Sequence, residues 1–124
     1  RSLIAEGCSV TFTACYDPAQ VLLAAALGAD YIAPYLGRIT DLGRDGHAEL
    51  TRMQRIVESV ARPVQARAAL RLLVASLRSA EDLARLAAEG LDTFTISPAI
   101  AAELFAVEPT LAAADQFELD ALGI

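Results

Sequence analysis

Polar and cationic side chains follow the apolar runs of this sequence at the points where the runs end. Carboxyl ends of parallel strands gather at one edge of a sheet or barrel, so these side chains would meet there if the runs are parallel strands. Arginine forks beside hydroxyl groups are a typical arrangement for binding phosphate. The residues concerned are Thr13, Tyr35, Arg38, Ser76, Arg78 and Ser97.

A phosphate site is the first chemistry that this pattern predicts. Arg38 and Arg78 carry forked cations, and Ser76 offers a hydroxyl close to a predicted helix start, where free backbone amides attract anions. The alternative is that both arginines are solvated surface groups paired with Asp41 or Glu81. Residue spacing leaves both interpretations open.

Tyr35 and Thr13 are candidates for a role at a reacting centre. A tyrosine at a strand end can be an acid/base group, or it can be a core residue with its hydroxyl at the rim. Threonine is equally a good strand residue without any function. The residue types alone do not decide between these roles.

A metal site is not predicted. Residues 41–52 place Asp41 at the first position of a calcium-binding loop, but Gly43 and Arg52 stand where the third and twelfth ligands are needed. The only histidine, His47, lies beside Glu49 at a helix start and is predicted to be a solvated residue of the capping region. We therefore expect neither a metal nor a cofactor.

Charge and composition exclude other classes of protein. The net charge is -6, and all ten basic residues are arginine, without the basic patch and interleaved aromatic residues of a nucleic-acid-binding protein. The longest uncharged run, residues 18–29, is too short to cross a bilayer, which takes about 20 residues. Cys8 and Cys15 form no zinc or disulfide pattern and are predicted to be two buried, reduced thiols.

Strand and helix patterns alternate along the chain. Apolar, β-branched runs at residues 9–14, 31–36, 70–76 and 93–97 predict strands, and a long loop is expected at residues 37–46. Helices are predicted from Asp17 to Gly28, over 47–60, from Ser79 to Gly90, and over 100–122 with an interruption near Pro109. This order predicts an α/β fold with a parallel sheet, either half of a (β/α)₈ barrel or a doubly wound sheet. The second lacks support because no glycine-rich phosphate motif follows the first strand.

The segment TACYDPAQVLLAAALGADYIAPYLGRITDLGRDG, residues 13–46, resembles the transaldolase family. The shared features are a threonine-containing strand, a helix opening with a glutamine, a helix end of the form A-x-x-G-A, and a strand of the form [SA]-P-[FY]-x-x-R-I. Downstream, VASLR at 74–78 and TFTISP at 93–98 resemble two further strand ends of the family. The matches cover most of the chain in the right order.

The resemblance implies a (β/α)₈ (TIM) barrel enzyme that makes or breaks carbon–carbon bonds in sugar phosphates through a lysine Schiff base. By position, Arg38, Ser76 and Arg78 match the residues that hold the substrate phosphate. Thr13 matches a threonine at the catalytic centre, and Tyr35 matches an aromatic residue that assists proton transfer in the aldolase branch. Transaldolase-like and aldolase-like features are mixed, so the branch stays open.

The sequence departs from the family pattern in one respect: it contains no lysine. In the family this lysine lies on the fourth strand, so residues 1–124 are expected to be a single partial domain holding strands five to eight and the C-terminal helices. Such a piece is predicted to be inactive alone, while the full-length cytoplasmic enzyme would be a homo-oligomer, as in relatives that exchange the C-terminal helix (here 112–122). The alternative is a non-catalytic, phosphate-binding or structural half-barrel.

Overall fold

A parallel three-stranded sheet lies at the centre of the chain. The computed structural model describes residues 2–60, 66 and 68–123. Strands β1 (Thr11–Cys15), β2 (Tyr31–Pro34) and β3 (Arg71–Leu72) pair in the order β1-β2-β3, and both pairings are parallel. The predicted α/β class and parallel sheet are thus confirmed.

The strands are shorter than predicted. The third run, expected over residues 70–76, forms a two-residue strand and one further parallel bridge between Tyr35 and Ala75. The fourth run, 93–97, contributes a single parallel bridge between Val74 and Phe94. These bridges place the four runs side by side in chain order, but the half-barrel with four complete βα units remains a prediction.

Seven helices are found within the described ranges, and none of them is long and apolar enough to cross a membrane. They are α1 (Ser2–Ala5), α2 (Pro18–Leu27), α3 (Leu36–Asp41), α4 (Gly46–Ser59), α5 (Ala80–Ala88), α6 (Pro98–Phe105) and α7 (Glu108–Ala121).

The predicted start and stop of α2 are confirmed. The Asp17 carboxylate accepts a hydrogen bond from the Ala19 amide, and the Gln20 side chain accepts one from the Asp17 amide, which completes a capping box. Gly28 ends the helix in the left-handed conformation, with φ of 78°. Local sequence therefore determines both ends of this element.

Helices α4 and α5 also match their predicted positions. Ser79 caps α5 by accepting a hydrogen bond from the Asp82 amide at 3.1 Å. Asp45 caps α4 in the same way by accepting from the Ala48 amide at 3.0 Å. On α4, Leu50 and Met53 of the predicted apolar face are fully buried.

The predicted loop at residues 37–46 is wrong in its first half. Strand β2 ends at Pro34, and the chain turns directly into helix α3. Leu36 and Ile39 bury one face of this helix, and the Thr40 hydroxyl donates to the Leu36 carbonyl. The two buried side chains supply tertiary packing, which outweighs the glycine-rich composition of the segment.

The hydrophobic core lies between the sheet and its covering helices. Cys15 is part of it, and burial raises the pKa of its thiol, which keeps it neutral. Cys8 is exposed, so the prediction of two buried thiols is wrong for that residue. The largest fully buried side chains come from β2, α2, α3, α4, α5 and the strand ends; they include Val21, Leu36, Ile39, Leu50, Met53, Val74 and Leu86.

Self-association of the chain is expected. Strand β1 pairs with β2 on one side, and no described residue pairs with its other edge. The side chains of Phe105 and Phe117 are 80% and 69% exposed. Unpaired edges and exposed aromatic groups both favour association. Light scattering after size exclusion should show a mass that rises with concentration, whereas a monodisperse monomer at all concentrations would contradict the expectation.

Candidate functional site

The predicted site residues lie at one end of the sheet, where the parallel strands finish. Thr13 is on β1, Tyr35 follows β2 directly, and Arg38 lies one turn further on in α3. Ser76 and Arg78 follow the Tyr35–Ala75 bridge. This is the edge on which function is generally found in parallel α/β folds.

Thr13 and Tyr35 contact each other. The Thr13 Oγ1 and Tyr35 Oη atoms are 2.8 Å apart, and either hydroxyl can be the donor. The pair joins two neighbouring strands and is exposed to solvent. A hydroxyl with two partners available, one protein group and one ligand or water, can pass a proton between them.

Arg38 lies against the face of the Tyr35 ring. Its Cζ atom is 5.1 Å from the ring centroid, within the range of a cation–π interaction. The neighbouring Tyr16 side chain raises the pKa of the Arg38 guanidinium above its ordinary value. An arginine is always charged at ordinary pH, and the ring contact holds this cation beside the Thr13–Tyr35 pair.

Tyr16 is a site residue that sequence reasoning missed. Its ring meets the Tyr35 ring edge to face, with centroids 5.7 Å apart and an interplanar angle of 68°. Its backbone is fixed by Gln20, whose Oε1 accepts from the Tyr16 amide, and by Arg44, which donates to the Tyr16 carbonyl. The only available signal was an aromatic residue directly after the first strand.

A cavity of about 470 Å³ opens beside these residues. Tyr35, Arg38 and Ser76 line one part of it, and Thr95 and Ser97 line another. Three of the predicted site residues, and Ser97 from the end of the fourth run, thus share one cavity. Its size is typical of a small-molecule site.

The backbone at Ser76 is strained. Its φ is 60°, a left-handed conformation that costs a non-glycine residue of the order of 1–3 kcal/mol. The Ser76 carbonyl accepts a hydrogen bond from the Gly37 amide at 2.8 Å, which ties the segment after β3 to α3. This strained residue lies at the wall of the cavity.

Arg78 does not line the cavity; its guanidinium forms a two-pronged ion pair with Asp41, with N–O distances of 2.7 and 2.5 Å. The hydrogen bond from Arg78 lowers the pKa of the Asp41 carboxyl, so that both groups are charged. The sequence left open whether Arg78 binds a phosphate or pairs with an acidic residue. In this structure Arg78 pairs with Asp41. An exposed pair of this kind contributes little stability.

His47 is not the solvated residue that was predicted. Its side chain is largely buried, and Nε2 donates to Asp82 Oδ1 at 2.9 Å, joining α4 to α5. Across the described ranges, no three His, Cys, Asp or Glu side chains form a group that could hold a metal ion. The contact of His47 with Asp82 therefore holds α4 against α5.

The chain is similar to known proteins of one family over nearly its whole length. The family described as Transaldolase/Fructose-6-phosphate aldolase matches residues 1–122. A "Probable transaldolase" of Caulobacter sp. (strain K31) is 34% identical over 118 residues, which cover 95% of this chain and 52% of the relative. A "Probable transaldolase" of Rhodospirillum centenum (strain ATCC 51521 / SW) is 35% identical over 120 residues, 97% of this chain and 50% of the relative.

A third relative, the "Probable transaldolase" of Maricaulis maris (strain MCS10), is 35% identical over 100 residues, 81% of this chain and 43% of the relative. The chain thus spans about half the length of the curated relatives that it matches. Because the family match extends over nearly all of its residues, this chain belongs to the transaldolase/fructose-6-phosphate aldolase family.

Proposed function

We propose that this chain is the phosphate-binding half, strands five to eight, of the barrel of a Schiff-base aldolase. The intact cytoplasmic enzyme would act on sugar phosphates, by transferring a dihydroxyacetone unit or by cleaving fructose 6-phosphate. The observation that carries the proposal is the Thr13–Tyr35 hydrogen bond beside Arg38, at the carboxyl ends of parallel strands in a chain of this family.

Tyr35 and Thr13 would handle the proton in this proposal. Carbon–carbon cleavage next to an imine requires proton transfer at the substrate hydroxyl, and a positioned tyrosine can take part directly or through a water. The contact at 2.8 Å fixes the Tyr35 hydroxyl, while Tyr16 and Arg38 contact its ring. The Thr13 hydroxyl is the partner that keeps the phenol oriented towards the reacting carbons.

Arg38, Ser76 and Arg78 would hold the substrate phosphate. Arg38 and Ser76 already line one cavity. Arg78 holds a carboxylate, Asp41, in the forked geometry that it would use for a phosphate. Because that ion pair is exposed, a phosphate in the neighbouring cavity can replace Asp41 at low cost.

The imine-forming lysine would belong to the part of the protein that precedes these residues. A Schiff-base enzyme needs an amine nucleophile, and none of the 124 residues is lysine. The same observation favours a second candidate function, a phosphate-binding half-barrel without catalysis that pairs with itself or with another chain. The two candidates share the phosphate site, and only the first requires an amine nucleophile from another part of the protein.

Phosphate binding should depend on Arg38. We expect fructose 6-phosphate to bind the chain, and Arg38→Ala to weaken that binding about tenfold through loss of a charge-assisted contact. Isothermal titration calorimetry at low ionic strength measures the effect. Arg71→Ala is the matched control, because Arg71 is an exposed arginine paired with Asp92 away from the cavity. Equal affinities for the Arg38 variant and the parent chain would contradict the proposed phosphate site.

The chain alone should not form a Schiff base. After incubation with dihydroxyacetone and borohydride, and with the terminal amine acetylated beforehand, intact mass spectrometry is expected to show no added mass. The physical reason is the absence of a lysine amine. An adduct mapped to an internal residue would overturn the assignment of the nucleophile to another part of the protein, whereas phosphate binding without an adduct is the expected combination.

A further inference from the structure

A second cavity, of about 560 Å³, lies between α4 and α5 and shares no lining residue with the Tyr35 cavity. Its wall contains three arginines, Arg52 and Arg55 from α4 and Arg85 from α5. Residues three apart on a helix share a face, so the two arginines of α4 project on the same side. The three cations therefore converge from two helices, although the chain as a whole carries a charge of -6.

Arg55 and Arg85 have no ion-pair partner among the described residues. Glu58 lies three residues after Arg55, and Glu81 and Glu89 lie four residues to either side of Arg85, at spacings that commonly form pairs on a helix. No such pair forms in the described part of the chain. Elsewhere, the described arginines Arg44, Arg71 and Arg78 each contact a carboxylate.

The acidic groups of the wall cancel this charge only in part, because two carboxylates, Asp45 and Glu89, face three guanidinium groups. Asp45 accepts a hydrogen bond from the Ala48 amide as the cap of α4, so one carboxylate oxygen is already in use. Arg52 also contacts Glu49 at 3.3 Å, but Glu49 lies outside the wall and is shared with Arg44. Glu89, at the end of α5, is the other carboxylate that lines the cavity.

We propose that the cavity between α4 and α5 binds a phosphorylated small molecule carrying at least two negative charges. Guanidinium groups on two helices match an anion with oxygens on more than one side, because each planar fork can take two oxygens. The volume of about 560 Å³ lies in the range of small-molecule sites. The site is separate from the proposed sugar-phosphate site and does not depend on it.

Pyrophosphate is the probe for this site. Titrated into the chain with ¹⁵N-labelled arginine side chains, it should shift the Nε–H resonances of Arg55 and Arg85. In calorimetry on the Arg38→Ala variant, which lacks the cation of the proposed sugar-phosphate site, adding Arg55→Ala and Arg85→Ala should weaken pyrophosphate binding at least tenfold. Inorganic phosphate, with fewer oxygens to span the two helices, should bind more weakly than pyrophosphate.

Two controls keep the test specific. Arg38→Ala removes the competing phosphate site in the other cavity and should leave the pyrophosphate-induced shifts of the Arg55 and Arg85 Nε–H resonances unchanged. Arg71→Ala removes one exposed cation outside both cavities and should leave pyrophosphate binding unchanged. Circular dichroism checks that each variant is folded. Binding that survives Arg55→Ala and Arg85→Ala in the Arg38→Ala variant, or that falls equally with Arg71→Ala, would overturn the proposal.

Discussion

Replacing Gly37 by alanine is expected to lower the free energy of unfolding by about 2–3 kcal/mol, through overpacking where the neighbours cannot move apart. A Cβ atom at this position would lie 2.6 Å from Arg78 Nε and 2.7 Å from the Ser76 carbonyl oxygen. The arginine side chain can rotate away, but the carbonyl belongs to the strained backbone segment at the cavity wall. The added methyl group therefore forces α3 and the segment after β3 apart.

The same substitution should weaken fructose 6-phosphate binding. Separation of α3 from the Ser76 segment stretches the 2.8 Å hydrogen bond between the Gly37 amide and the Ser76 carbonyl. It also moves Arg38 relative to Ser76, so that the two groups no longer face the cavity together. Urea unfolding measures the stability, and calorimetry on the folded fraction measures the affinity.

Gly43→Ala is the matched control for Gly37→Ala. Gly43 has a φ of 80°, but a Cβ atom added there would have no heavy atom within 4 Å. Only backbone strain of about 1 kcal/mol is therefore expected, with unchanged affinity. Equal losses of stability in the two variants, with unchanged affinity in both, would contradict the prediction. They would mean that steric contact with the Ser76 segment does not exclude a larger residue at position 37.

Helix ends were the part of the fold that the sequence predicted best. The Asp17 and Gln20 capping box, Gly28 and the Ser79 cap of α5 act through neighbours within four residues, so the local sequence contains the information. Helix α3 was missed because its formation depends on Leu36 and Ile39 packing into the core. That contact is tertiary and has no local signature.

Strand lengths were predicted less well. Apolar composition placed the runs correctly, but hydrogen-bonded pairing depends on backbone conformation at single residues. Ala14 and Ser76 both have positive φ values, which interrupt the ladders near the ends of the first and third runs. Neither residue type favours that conformation, so nothing in the sequence indicated it.

The candidate site, like the fold, was predicted only in part. The grouping of Thr13, Tyr35 and Arg38 follows from parallel topology, which the alternation of strand and helix patterns had indicated. The pairing of Arg78 with Asp41 depends on how α3 is oriented, and the contact of Tyr16 with Tyr35 depends on how the chain leaves β1 and β2. Sequence spacing gave candidates for these contacts but could not select among them.

Replacing Asp82 by alanine is expected to lower the free energy of unfolding by about 2 kcal/mol at pH 7, because hydrogen bonds to a charged group are the stronger ones. The Asp82 carboxylate accepts from His47 Nε2 at 2.9 Å and from the Arg78 amide at 3.0 Å. It thereby joins α4, α5 and the segment that carries Arg78. Glu81→Ala, on the same turn but exposed, should cost less than about 0.5 kcal/mol.

The difference between the parent chain and Asp82→Ala should depend on pH. Burial by itself raises the pKa of Asp82, but hydrogen bonds from the Arg78 amide, His47 and the Ser79 amide outweigh it and hold that pKa below its ordinary value. A carboxyl whose pKa is lower in the folded state stabilises the fold above its unfolded pKa of about 3.9, and this contribution is lost as the pH falls through the folded value. Urea unfolding at pH 7, 5 and 2.5 should therefore show a large difference at the first two values and a small one at the last. An equal difference at all three would mean that Asp82 contributes through packing, because only the charged form gains from the hydrogen bonds.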